Sequence, residues 1–226
     1  MTLLGWATWG VLVLYLGAFA GLGRLAARAA GRPVWLFGAA QGSDRLAALA
    51  FRAAFALALL GPLAGAAWPG PGPLGWGAPA ALVLAGHFVA VAGAALALAA
   101  QASMGASWRV GVQEGATGAL VTGGLFALSR NPTFVGQGGL LAGAALALPS
   151  WPTVLAVLLF TLAANLQVRS EERTLAVALG ESYRAYLART PRWLGPPRPA
   201  AGGAMVTTPG PTQSARAAVA PPGLAP

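Results

Sequence analysis

Two short polar clusters, separated by a long apolar stretch, hold the side chains best suited to chemistry. The first is Arg130-Asn131-Pro132-Thr133-Phe134-Val135-Gly136. The second opens with Arg169-Ser170-Glu171-Glu172-Arg173-Thr174-Leu175 and continues through Gly180, Tyr183 and Tyr186 to Pro191-Arg192-Trp193. On a helix, Glu172, Leu175, Leu179, Tyr183 and Tyr186 recur at three- or four-residue steps and share one face. That face lines up a carboxylate, which accepts hydrogen bonds, with two phenols, which donate and accept. A cytoplasmic amphipathic helix with internal Arg/Glu pairs carries the same pattern, so the face alone names no ligand.

Composition narrows the chemistry by exclusion. All 14 basic residues are arginine, which removes a phosphate-binding lysine of the Walker type and a lysine Schiff base. There is no cysteine, so thiolate catalysis, iron–sulfur ligation and disulfides are excluded. The single histidine, His87, cannot build a multi-histidine metal site, and no metal site is expected. Chemistry is therefore left to Glu, Arg, Tyr, Asn and the backbone, or to a bound cofactor.

The elements that must position these groups are membrane helices. The chain of 226 residues is 57% hydrophobic and 8% charged, which predicts an all-α polytopic bundle. Five apolar segments stand at about 3–22, 46–68, 78–100, 133–148 and 151–168, the last two short and joined by a turn at Pro149-Ser150-Trp151-Pro152. An amphipathic cytoplasmic helix follows the fifth. Arginines occupy the loops around Arg24 to Arg45 and Arg109 to Arg130 and the region after Arg169, whereas the 68–77 and 149–152 connections carry no charge. With five spans, this distribution predicts an outside N-terminus and a cytoplasmic C-terminus in the cell inner membrane. The net charge of +9 is read as a topology signal rather than a nucleic-acid surface, because the arginines flank apolar runs. Arg52, about two turns inside the second segment, either snorkels or faces a polar cavity; His87 either bonds a neighbouring helix or lines an active cavity. The pairs Gly17/Gly21, Gly61/Gly65 and Gly139/Gly143 are expected to pack helices within the protomer. Residues 1–194 form the predicted membrane domain, and 195–226, rich in Pro and Ala, a disordered cytoplasmic tail.

The order of Arg130-Asn131-Pro132-(Thr133)-Phe134-(Val135)-Gly136, a proline-turned hairpin and Glu171-Glu172 through Leu175, Gly180, Tyr183 and Tyr186 resembles the isoprenylcysteine carboxyl methyltransferase and phospholipid methyltransferase superfamily. Met104 to Arg109 and Leu120 to Gly124 are similar to the connecting loop of its bacterial members. Two positions depart from the common form: Asn131 stands where histidine is frequent, and Phe134 where tyrosine is frequent. Asparagine keeps hydrogen-bonding capacity but does not titrate, and phenylalanine lacks the hydroxyl.

The resemblance implies an integral membrane methyltransferase using S-adenosylmethionine, with the cofactor reached from the cytoplasm and a hydrophobic, lipid or lipidated acceptor reached from the bilayer. It assigns Glu171 and Glu172 to the cofactor's ribose hydroxyls or α-amino group. Arg130, Asn131 and the Gly123-Gly124 backbone are assigned to its carboxylate or adenine, with Pro132, Phe134, Tyr183 and Tyr186 completing the pocket. Arg109, Arg169 and Glu172 are the catalytic candidates, either arginine holding an acidic acceptor. The acceptor itself stays open: a carboxylate needs no base, an amine must be neutral and a thiol must ionise. Two rival readings are an NADPH-dependent membrane reductase of related fold and a non-enzymatic transporter or assembly protein. A Glu pair beside the arginines suits a cofactor bearing its own positive charge better than it suits a 2′-phosphate.

Overall fold

The computed structural model describes residues 2–31, 33–34, 42–67, 72, 77–108 and 120–198. Their regular elements are helices: α1 (Leu3–Ala30), α2 (Gly42–Ala67), α3 (Ala80–Met104), α4 (Leu125–Leu128), α5 (Pro132–Ala147) and α6 (Trp151–Arg189). The fold is the predicted all-α membrane bundle. Four helices, α1, α2, α3 and α6, are long and apolar enough to cross a membrane. The fourth expected span, at about 133–148, is the exception. With 16 residues, α5 reaches only about 24 Å at 1.5 Å per residue, short of a hydrocarbon core of roughly 30 Å. It lies packed among the long helices.

Helix ends run past the apolar segments wherever no breaker intervenes. Helix α1 continues through Arg24 and Arg28 to stop at Gly31, whose φ of 63° closes the helix with a bond from its N–H to Arg28 O. Helix α6 shows the same effect on a larger scale. The expected span and the amphipathic helix after it are one element of 39 residues, starting at a Ser150/Thr153 capping box and interrupted at Gly180 (φ 53°, ψ −125°). That backbone conformation is open to glycine and strained for other residues, so Gly180 sets the direction of the last turns carrying Tyr183 and Tyr186.

Side-chain contacts fix the relative directions. Thr8 Oγ1 lies 3.0 Å from His87 Nδ1, and Gln101 Nε2 donates to Phe19 O at 3.0 Å, so α1 and α3 run parallel. Ser170 Oγ donates to Asp44 Oδ2 at 2.9 Å while Gly61 meets Pro152 at the opposite end, so α2 and α6 are antiparallel. Helix α5 is antiparallel to α3, with Gly86 against Ala147 and Gly93 against Leu140.

The α3–α5 pair is held at backbone contact by Gly86, Gly93, Gly136 and Gly143. A Cβ on Gly86 would come within 2.7 Å of Gly143 O, and one on Gly136 within 2.6 Å of Gly93 O. Of the glycines expected to pack, Gly61 and Gly143 do so and Gly139 makes a looser contact, whereas a Cβ on Gly17, Gly21 or Gly65 would meet nothing within 4 Å. The close-packing glycines are spaced by a heptad on two antiparallel helices, which keeps one face aligned over two turns better than the four-residue spacing does. Leu14, Phe88 and Leu158, each more than 60% exposed, face outward as lipid-contacting residues. Inside, Tyr15, Phe19, Phe51, Phe55, Trp108 and Phe160 form a chain of ring contacts beneath the polar site.

Candidate functional site

The site is assembled by a turn and a C-terminal return. Arg130 N–H donates to Pro191 O at 2.9 Å, Asn131 Nδ2 donates to Arg192 O at 2.9 Å, and Ser129 Oγ, which accepts from Asn131 N–H, donates to Arg192 O at 3.4 Å. These bonds lash the Arg-Asn-Pro turn to the segment after α6. Pro132 then opens α5, where its missing N–H costs nothing.

Between the two strands of this lash sits Glu172. Arg130 Nη1 reaches Glu172 Oε1 at 2.9 Å, and Arg192 forks onto the same carboxylate with Nε at 3.0 Å from Oε1 and Nη2 on Oε2. The Arg130 and Glu172 side chains are 12% and 15% exposed, so the pair is only weakly screened. The hydrogen bond to Glu172 is the main reason that the Arg192 guanidinium is held more firmly protonated than usual. Two arginines around one carboxylate leave this triad with one net positive charge, beside Glu171.

A cavity opens against the triad, with about 990 Å³ of empty space when the solvent at its mouth is included. Along α6 its wall follows Gln167, Val168, Glu171, Glu172, Leu175, Leu179, Tyr183 and Tyr186, which include the five residues expected to share a face, Glu172, Leu175, Leu179, Tyr183 and Tyr186. Opposite lie Arg130 to Phe134 and Gln137 from α5, with Trp108, Leu120, Val121 and Phe126 from the connecting region. Tyr186 OH donates to Phe126 O at 2.7 Å, anchoring α4 to the end of α6. Burial raises the Tyr186 phenol to about 12, and burial together with the negative charge of Glu172 raises that of Tyr183, so both phenols stay protonated at neutral pH.

The structure thus brings together Arg130, Asn131, Pro132, Phe134, Glu171, Glu172, Tyr183 and Tyr186. It does not bring Gly123, Gly124 or Arg169 to the cavity wall. Both glycines are exposed, and Gly124 (φ 59°) instead turns the chain into α4. Arg169 is exposed on α6. Arg109 lies outside the described residues, as does the tail beyond residue 198. His87 bonds Thr8 and does not line the cavity, and Arg52 is exposed on α2 away from the lining. The residues that the spacing left unassigned are Arg192, Thr133, Gln167 and Trp108. Arg192 closes the second cluster in sequence, and Gln167 is an uncharged polar residue buried late in an apolar helix, itself a signal of a site.

Four buried polar side chains on the cavity wall carry atoms without a protein partner: Trp108 Nε1, Arg130 Nε, Thr133 Oγ1 and both amide atoms of Gln167. Unpaired polar atoms at such burial cost on the order of 1–3 kcal/mol each.

No curated protein and no solved structure matches the chain. Residues 80–182, from the start of α3 to just past the Gly180 break, match the model of the phospholipid methyltransferase family, and a domain of that membrane methyltransferase family covers this part of the chain.

Proposed function

We propose that the protein is an integral membrane methyltransferase that takes S-adenosylmethionine from the aqueous side and methylates a hydrophobic acceptor delivered through the bilayer. The observation that carries this reading is the meeting of the Arg-Asn-Pro turn with the glutamate pair: Arg130 lies 2.9 Å from Glu172 in the wall of one cavity. The family match over residues 80–182 supports the same reaction class.

When bound, the cofactor supplies the methyl group on a sulfonium, which leaves by in-line displacement without metal or covalent catalysis. The chain's part is to hold and desolvate the reactants. Glu172, fixed by Arg130 and Arg192, is a pre-oriented acceptor for hydroxyl or amino groups, and Glu171 adds a second carboxylate. Arg130 offers the donor Nε on its unpaired edge. The protonated Tyr183 and Tyr186 phenols close the wall with Leu175 and Leu179, and the apolar residues exclude water, which strengthens the charge interactions inside. His87 is remote, so the described residues favour acceptors that need no protein base: a carboxylate, a neutral amine or a thiol that ionises on its own. Arg169, on the exposed flank of α6, and Arg109, outside the described residues, are kept as candidates for holding an acidic acceptor.

Isothermal titration of the purified full-length protein with S-adenosylhomocysteine and with NADPH tests the proposal. Micromolar binding of S-adenosylhomocysteine without NADPH binding is expected. Binding of NADPH alone would replace the methyltransferase with a reductase.

A further inference from the structure

The cavity beside the triad has a polar mouth and a mainly apolar interior. Arg130, Glu171 and Glu172 stand at the mouth, while Phe19, Phe51, Met104, Phe134 and Gln137 line the inner part. Gln137 lies six residues beyond the N-cap Asn131 on α5, about 9 Å into the bundle at 1.5 Å per residue. Phe51 stands at a similar depth on α2, seven residues past Asp44, which accepts from Ser170 beside the glutamate pair.

One turn deeper, the same helices close the space. Tyr15 on α1, Phe55 on α2, Leu141 on α5 and Ala163 on α6 each stand four residues beyond the deepest cavity residue of their helix. None of the four lines the cavity, and each is 7% exposed or less. Their rings interlock: Tyr15 stacks on Phe55 with centroids 6.1 Å apart, Phe55 meets Phe160 edge to face at 6.1 Å, and Phe160 contacts Phe51 and Phe134. Gln137 Nε2 donates to Tyr15 OH at 2.7 Å, which ties the floor from α5 to α1. The α3–α5 side is shut by backbone contact at Gly93 and Gly136. A floor packed to interior density does not make room for further methylenes without displacing its rings.

The whole space, about 990 Å³ with the solvent at its mouth, has to hold cofactor and acceptor together. We infer that this floor is a length ruler: the acceptor is a compact apolar molecule whose tail ends against Phe19, Phe51 and Gln137, and a long-chain lipid does not fit. An extended chain of about six to eight carbons spans roughly 9 Å at carbon–carbon bonds of about 1.5 Å, which uses the depth available. The inference rests on the methyltransferase reading for the reaction and adds the substrate class to it. Phe19 and Phe51, which neither polar cluster contains, become specificity-determining residues.

Full-length protein in lipid nanodiscs, given methyl-labelled S-adenosylmethionine and an equimolar set of hexyl and hexadecyl thiols, carboxylic acids and amines, tests the ruler by mass spectrometry of the products. Whichever head group reacts, the hexyl product is expected to exceed the hexadecyl product by about tenfold or more. Phe51→Ala removes a ring from the floor and should bring the two products toward equal amounts, whereas Phe51→Leu should keep most of the wild-type preference. Hexadecyl acceptor methylated by wild type as fast as its hexyl counterpart overturns the inference, as does an unchanged ratio in folded Phe51→Ala; melting curves establish which variants fold. Photolabelling of wild type with hexyl and hexadecyl diazirines reads the chamber without the reaction. The hexyl probe should mark Phe19 and Phe51, and the hexadecyl probe only outward-facing residues such as Leu158; equal marking of Phe51 by both overturns the inference. No product in any class, together with that unequal marking, contradicts the methyltransferase reading and leaves the ruler standing.

Discussion

Glu172 is the residue on which the local structure converges. Its carboxylate ties the turn before α5 to the segment after α6 through Arg130 and Arg192. Glu172→Gln leaves two guanidinium groups facing an amide, and loss of charged hydrogen bonds costs about 1.5–3 kcal/mol of stability. A lower melting temperature together with at least tenfold weaker S-adenosylhomocysteine binding is expected; calorimetry and titration on the same sample report both. Tyr186 makes a pH prediction. Its phenol is raised from 10.0 to about 12 in the folded protein, chiefly by burial. The folded state therefore holds that proton more tightly, and the stabilisation is complete below about pH 10 and lost as pH rises through about 12. Tyr186→Phe should lower stability near neutral pH by about 1 kcal/mol through the lost bond to Phe126 O, and should flatten the decline between those pH values. A decline equally steep in Tyr186→Phe would assign the alkaline loss to other groups.

The elements that hold these residues are set by a close helix contact and by a glycine bend. Helices α3 and α5 touch backbone to backbone through Gly86, Gly93, Gly136 and Gly143, so the N-terminus of α5 is fixed in the bundle. Gly136→Ala, one turn from Thr133, forces a Cβ onto α3 and should destabilise by about 1–3 kcal/mol, whereas Gly17→Ala, with nothing within 4 Å, should be near neutral. Thermal unfolding in one detergent compares them directly. Gly180 is the bend in α6. Gly180→Ala strains a positive φ at a cost on the order of 1–3 kcal/mol and redirects Tyr183 and Tyr186, so weaker cofactor binding is expected to accompany the loss. These two cases show where the sequence is readable. The glutamate and leucine steps on α6 name their shared face because helical period is local, whereas Tyr183 and Tyr186 lie beyond the Gly180 break. The heptad glycines of α3 and α5 become meaningful only once the two helices are known to be antiparallel neighbours. Likewise Arg192 joins Glu172 across the Gly180 break, through a turn that no periodicity encodes, while Gly123 and Gly124 look like cofactor-loop glycines and serve a turn at the surface.

At the scale of the whole molecule, alternating helix directions gather the polar clusters at one end of an otherwise apolar bundle. The arginine-free connections at the other end favour placing the cavity mouth in the cytoplasm. Because the chain has no cysteine, single introduced cysteines report orientation without background. A cysteine at Ser182 should react with a membrane-impermeant maleimide only in inverted vesicles, and one at Ser150 only in intact cells; the reverse pattern would turn the topology over. Composition and hydropathy reveal the bundle from sequence, since both follow from transfer free energies summed along the chain. They do not reveal that the fourth apolar segment forms a helix too short to cross alone. The most direct test of the proposed activity is transfer of a labelled methyl group from S-adenosylmethionine to the hydrophobic fraction of membranes containing the wild-type protein, Arg130→Met or Glu172→Gln. Incorporation by wild type that falls at least tenfold in both variants is expected; equal incorporation in all three, or none with wild type across acidic, thiol and amine acceptors, would contradict it.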